Sequence, residues 1–212
     1  MCSRGSMRKK DLERMLEEVP PFPAPKESLE QYETPAEIAA EMLWMAFMAG
    51  DISGKIVIDL GCGTGRLATG AALLGARYVV CIDIDDKSLA LAEETLRTRG
   101  QVPHDIVETD VRSAAFSRRL GDCTVVMNPP YGVKSRGSDI DFLRRAMELC
   151  DTIYSFHKVS KGLHHVVSEV AEKYGYEYSS VLIQDFRLRP SMEKHRKRSH
   201  YLKVALIIFK RK

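Results

Sequence analysis

The sequence predicts a doubly wound α/β domain: a mainly parallel sheet with helices on both faces. Three observations lead there. From residue 55 onward, short runs rich in Val and Ile alternate with longer stretches of helical period, the pattern of successive βαβ units. The first run passes into "DLGCGTG", a glycine-rich strand-to-helix turn. The last two runs, "YEYSSVLIQDFRL" and "YLKVALIIFK", have no helix between them, so as a hairpin they must pair antiparallel.

Taken in order, "MRKKDLERMLEEV" sets Leu12, Met15, Leu16 and Val19 at helical spacing, which predicts a short amphipathic helix. It stops at "PPFPAP", because proline cannot continue a helix. Residues 1–28 therefore read as an N-terminal helix and proline-rich linker, and 29–212 as the main domain. Thr34 suits an N-cap, Pro35 the first helical position and Glu37 the third, a capping box that opens a helix from Pro35 to about Ala49. Strands follow at "KIVIDL", "YVVCIDI", "DIVETD", "CTVVMN" and "TIYSFHKV", with the two final runs making seven. Between them, "GRLATGAALLGA", "DKSLALAEETLRTRG", "DIDFLRRAMELC" and "KGLHHVVSEVAEKYG" have helical period.

Bulk properties exclude several classes. Hydrophobic content of 44% and charged content of 29% are those of a soluble globular protein. No apolar run approaches the roughly 20 residues of a membrane span. The pattern of a secretory signal is missing, so a cytoplasmic protein is expected. The five cysteines are scattered without a C-x-x-C pair, which points to reduced thiols and to no metal site. Charge is uneven. Residues 187–212 hold ten Lys or Arg and one Glu, while the whole chain carries only +3. A mildly acidic body with a basic end suits a local contact with a polyanion.

The chemistry gathers at strand ends, where an open α/β sheet binds its ligands. Gly61, Gly63 and Gly65 form G-x-G-x-G, not the G-x-G-x-x-G of dinucleotide enzymes. Asp59 precedes the turn, and further strands end in Asp83 and Asp110. This set favours S-adenosylmethionine over a dinucleotide. Asp59 can balance the donor's ammonium, Asp83 can take the ribose diol, and Ile84 can pack on adenine. Asp110, with Val111 beside it, can accept from the adenine amine. The fourth strand ends in "NPPY". Asn128 and the Pro129 carbonyl offer two acceptors for a delocalised exocyclic amine, while Pro129 and Pro130 stiffen the turn. Tyr131 offers a face on which an extruded base can stack.

"DLGCGTG" with its downstream acids resembles the S-adenosylmethionine-dependent methyltransferases of Rossmann-like class I type, which implies seven strands with one antiparallel. "NPPY" resembles the amino-methyltransferases of adenine or of protein glutamine. "GDISGKIVIDLGCGTGRLATGAALLGA", "YSFHK" and "HRKRSHYLKVALIIF" extend the likeness to nearly the whole chain. Those segments resemble the archaeal and eukaryotic small-subunit ribosomal RNA adenine-N6 methyltransferases, the family of methyltransferase-like protein five. Tyr131 departs from the phenylalanine usual in eukaryotic members. From "EQYETP", the resemblance implies donor contacts at Gln31, Tyr32 and Thr34. It also implies an RNA substrate, and in eukaryotes a small zinc-binding activator subunit. Lys134, Arg136, Lys194, Arg196, Lys197 and Arg198 are then the candidates to hold RNA phosphates. Two rivals are a glutamine-N5 methyltransferase and a non-catalytic RNA-binding or partner-binding module with a vestigial donor site.

Overall fold

The structure is a computed structural model and describes residues 7–114, 119–132, 137–188 and 200–212. Helix α1 (Lys9–Glu17) and α2 (Ala36–Met48) precede the alternating part. Then come β1 (Ile56–Leu60), α3 (Arg66–Leu73), β2 (Tyr78–Asp83), α4 (Asp86–Thr95), β3 (His104–Glu108) and β4 (Gly121–Met127). The chain continues through α5 (Ser138–Leu149), β5 (Cys150–Lys158), α6 (Leu163–Tyr174), β6 (Tyr176–Leu188) and β7 (His200–Arg211). The strands form one sheet in the order β3-β2-β1-β4-β5-β7-β6. Neighbours from β3 to β5 pair parallel, and β7 runs antiparallel to both β5 and β6. The predicted fold class is the observed one.

Strand alternation builds two cores. Val57 on β1 joins a cluster with Leu12, Leu16, Leu43 and Leu89 on one face. Its neighbour Ile58 joins Phe142, Leu143 and Met147 on the other. The first helix is thus part of the main core, with Leu12 and Leu16 fully buried and Lys9 paired to Glu41 of α2. Strand order turns at β1, which has β2 on one side and β4 on the other. A crevice therefore opens at the carboxyl ends of β1 and β4, the switch point where such sheets bind ligands.

Three local expectations need correction. Helix α2 begins one residue late, at Ala36, with Pro35 in the cap position and no side-chain capping bond. The hydroxyl of Thr34 instead accepts an N–H of the Asn128 amide. Strand β3 ends at Glu108, leaving Asp110 in the following turn. The cysteines are not all thiols: Cys123 and Cys150 form a disulfide, while Cys62 and Cys81 are free and buried. A register shift between Gly121 and Thr124 sets Cys123 beside the start of β5, with the two Cα atoms 5.0 Å apart. No helix among the described residues is long and apolar enough to cross a membrane.

Candidate active site

Asp59 sits near the end of β1 and is 1% exposed. One carboxylate oxygen accepts the Ala68 N–H at 2.9 Å, while the other, also buried, has no hydrogen-bond partner among the described residues. Burial pushes its pKa up to about 8, outweighing the Ala68 bond. The glycine turn that follows has all three glycines at positive φ. Substitution would meet more than backbone strain. A Cβ on Gly63 would lie 2.6 Å from the Phe22 ring, and one on Gly65 would lie 2.9 Å from Ala92. The turn is closed by Asp83, whose two oxygens accept the N–H groups of Gly63 at 2.8 Å and Asp85 at 2.9 Å. Burial raises the Asp83 pKa, with those bonds opposing it. Ile84 stands 44% exposed beside it, an apolar face free to receive a flat ring.

Asp110 and Val111 complete this side. Val111 is buried, and both Asp110 oxygens are held by the Arg112 guanidinium, at 3.0 and 2.7 Å. Those bonds keep the Asp110 carboxyl below its ordinary range. An adenine amine would have to share Asp110 with Arg112, a competition that sequence spacing could not reveal.

On the acceptor side, Asn128 follows β4 directly. Its amide nitrogen donates to Thr34 Oγ1 at 2.9 Å, and its amide oxygen accepts the Tyr131 hydroxyl at 2.6 Å. Pro129 is buried and Pro130 half-buried. Tyr131 is only 7% exposed and packs into the core. The expected open stacking face is therefore absent from this conformation, because the ring turns inward to reach Asn128. Burial raises the Tyr131 pKa, so the hydroxyl keeps its proton and acts as a donor.

A strap covers the crevice, and most of it was missed from sequence. Phe22, from the proline-rich stretch, lies against Gly63. Lys26 and Gln31 both bond Asp85, at 2.6 and 2.9 Å, and Ser88 adds a third bond at 2.7 Å. Arg66, the first residue of α3, donates to the carbonyls of Val19 and Thr34, at 3.3 and 2.6 Å. One guanidinium thus holds both ends of the strap. The likeness of "EQYETP" implied contacts at Gln31, Tyr32 and Thr34, whereas for the rest of the strap the only sequence sign was the clustering of Phe22 with prolines, which stiffen a segment without saying what it covers.

Two cavities adjoin under this strap. The larger, with a volume of about 110 Å³, is lined by Asp83, Ile84, Asp110, Val111, Pro130 and Phe142 among others. The smaller is lined by Asp59, Gly63, Thr64, Thr34 and Arg66. Phe22, Tyr32, Gly61 and Asn128 border both. Asn128 therefore faces the space that Asp59 and Asp83 enclose. Gln31 lines the larger cavity, and Gly65 caps α3 behind the smaller one. Ser138 and Phe142 of α5 are further lining residues that pattern reading passed over. The basic candidates Lys134, Arg136, Lys194, Arg196, Lys197 and Arg198 lie outside the described residues. No cluster of metal-binding side chains occurs among those described.

Comparison with known proteins shows the family. Residues 35–172 match the family described as the methyltransferase small domain. The chain is 35% identical over 206 residues to the rRNA N(6)-adenosine-methyltransferase METTL5 of Danio rerio, covering 96% of this chain and 99% of that relative. Against Mettl5 of Drosophila melanogaster, identity is 35% over 210 residues, with 95% of each chain covered. A crystal structure from Pyrococcus horikoshii, described as that of a candidate RNA methyltransferase, superposes with a TM-score of 0.85 at 33% identity, over 98% of both chains.

Proposed function

The chain belongs to the methyltransferase small-domain family and, within it, to the METTL5-type rRNA N6-adenosine methyltransferases, and from that premise we propose how its site works. The reaction is transfer of a methyl group from S-adenosylmethionine to the exocyclic amine of an adenosine in RNA, with ribosomal RNA as the substrate. The observation that carries this reading is the place of Asn128, at the junction of the two cavities and across from the unpaired oxygen of Asp59.

Asp59 and the turn fit the amino-acid end of the donor. A buried carboxylate oxygen with no partner costs free energy until a donor group reaches it, and an ammonium supplies one. Asp83 and Ile84 fit the ribose and adenine. S-adenosylmethionine brings an activated methyl on a sulfonium, so the protein's task is positioning. The Asn128 amide oxygen has two lone pairs, of which Tyr131 takes one. The second, together with the Pro129 carbonyl, can hold the two amine hydrogens so that the nitrogen lone pair faces the methyl. Once methylated the amine is acidic and releases its proton to water.

Lys134, Arg136 and the 194–198 basic cluster would hold the RNA phosphates, a sequence-independent contact. A small zinc-binding activator subunit and a cytoplasmic location complete the reading. The disulfide is compatible with that compartment, because Cys123 is 2% and Cys150 0% exposed, and reductants need access. The direct experiment incubates the protein with ribosomal subunits and labelled donor, then digests the RNA to nucleosides. Label in N6-methyladenosine is the expected result. Label in protein glutamine, or no label at all, would refute the assignment.

A further inference from the structure

We infer that Thr34 is a positioning residue through which the strap over the donor cavity orients the Asn128 amide, so that closing on the donor also completes the acceptor clamp. This rests on the proposed methyl transfer and adds to it an order of assembly within the site.

The hydrogen bonds that suggest it are specific. "TPAE" has the spacing of a capping box, yet Thr34 makes no capping bond to α2. Thr34 is 9% exposed, and its hydroxyl instead accepts an N–H of the Asn128 amide at 2.9 Å. The same residue's carbonyl accepts Arg66 at 2.6 Å, which ties it to the helix that opens after the glycine turn. Farther up the strap, Gln31 and Lys26 hold Asp85, two residues past Asp83 on the donor wall. Hydrogen-bonded groups therefore run from the donor wall through the strap to the amide.

Orientation matters here because an amide presents opposite chemistry on its two sides. Rotation about the asparagine χ2 angle is soft and roughly two-fold. Thr34 accepts from the nitrogen and Tyr131 donates to the oxygen, which fixes one of the two flips and leaves the oxygen's second lone pair for the amine. A flipped amide would point N–H groups at the incoming amine and repel it. Loss of Thr34 leaves one side of the amide unanchored while the pocket keeps its shape.

The test compares Thr34→Val, which is nearly isosteric, with Thr34→Ser, which keeps the hydroxyl. With RNA and donor saturating, Thr34→Val should slow single-turnover methylation about 10- to 100-fold, the scale of small misplacements in an active site. Donor Kd measured without RNA should move by less than about threefold, and Thr34→Ser should recover a rate within about threefold of wild type. Asparagine-labelled NMR gives a readout independent of turnover. The Asn128 side-chain amide should exchange slowly with water in wild type and Thr34→Ser, more slowly still with donor added, and fast in Thr34→Val with or without donor. A Thr34→Val rate within about twofold of wild type would overturn the inference. So would equal losses of rate and donor affinity, which would make Thr34 a plain donor contact, or a serine variant as slow as valine. Should wild type form no N6-methyladenosine, the reaction assignment falls, while the amide signals still decide whether Thr34 anchors Asn128.

Discussion

The two halves of the crevice are built on opposite plans. On the donor half, carboxylates are set by backbone: Gly63 and Asp85 amides hold Asp83, and the Ala68 amide holds Asp59. One Asp59 oxygen is left unpaired among the described residues. On the acceptor half, Asn128 is set by side chains, one from the strap and one from its own turn. Backbone-held groups are rigid and tolerate changes around them. A side-chain-held amide depends on each partner, so the acceptor half should be the more fragile in turnover and the donor half in affinity.

The largest break in that contrast is Asn128→Ala. Removing a group that acts on the transition state costs about 10²- to 10³-fold in kcat, by analogy with loss of a preorganised polar contact. Donor Kd should stay near wild type. Steady-state kinetics and calorimetry read the two separately, and comparable losses in both would show that the halves are not distinct.

Next comes the opposite end of β4. The disulfide from Cys123 to Cys150 closes a loop with a sequence separation of 27. Replacing both cysteines by Ala should cost about 3.5 kcal/mol of stability in the chain-entropy account, seen in denaturant midpoints. Turnover at moderate temperature should be preserved, because the bond lies at the start of the strand and Asn128 beyond its end. A large loss of kcat would mean that the acceptor turn is set from below rather than by Thr34 and Tyr131.

Asp59→Asn probes the donor half. Its folded-state pKa, about 8, is above the ordinary carboxylate value of 3.8, so the folded protein binds this proton more tightly than the unfolded chain. Stability from this group is therefore highest below the ordinary value and declines as pH rises toward 8. The ligand-free thermal midpoint should fall over that window, and Asp59→Asn should flatten the fall. Donor binding needs the ionised carboxylate, so wild-type affinity should strengthen up to about pH 8 with proton release. The variant should lose about tenfold in affinity together with that pH dependence. An unchanged pH profile would remove Asp59 from the donor site.

Much of this was legible in the chain. Strand and helix periods mark the sheet because alternate residues of β1, such as Val57 and Ile58, must enter different cores. Acids at strand ends mark the proposed donor half, because the topology brings those ends together. What escaped depends on long-range approach. Phe22 on Gly63, Arg66 on Val19 and Thr34, and Lys26 on Asp85 link residues far apart in sequence, with no local pattern to announce them. Thr34 misled in the other direction. Its local pattern favours capping, and a tertiary partner outcompeted it. Tyr131 was read as a stacking face for an extruded base, whereas the ring is buried and its hydroxyl found Asn128.

The smallest effect should come from Asp85→Asn, which tests whether the strap belongs to the donor half. Burial pushes the Asp85 pKa up, but hydrogen bonds from Lys26, Ser88 and Gln31 outweigh it and bring the value to about 2. Its contribution is thus complete above the ordinary carboxylate range and is lost only as pH falls toward 2, so mild acid should not loosen the strap. The Lys26 partner is 46% exposed, and solvent screening holds such a pair to about 1 kcal/mol. Donor dissociation measured by stopped flow should therefore quicken about fivefold in Asp85→Asn. The saturated methylation rate should change far less than in Thr34→Val, because the tether to Asn128 remains. If dissociation is unaltered, the strap does not retain the donor, and Lys26 and Gln31 serve only to pack the segment against α4.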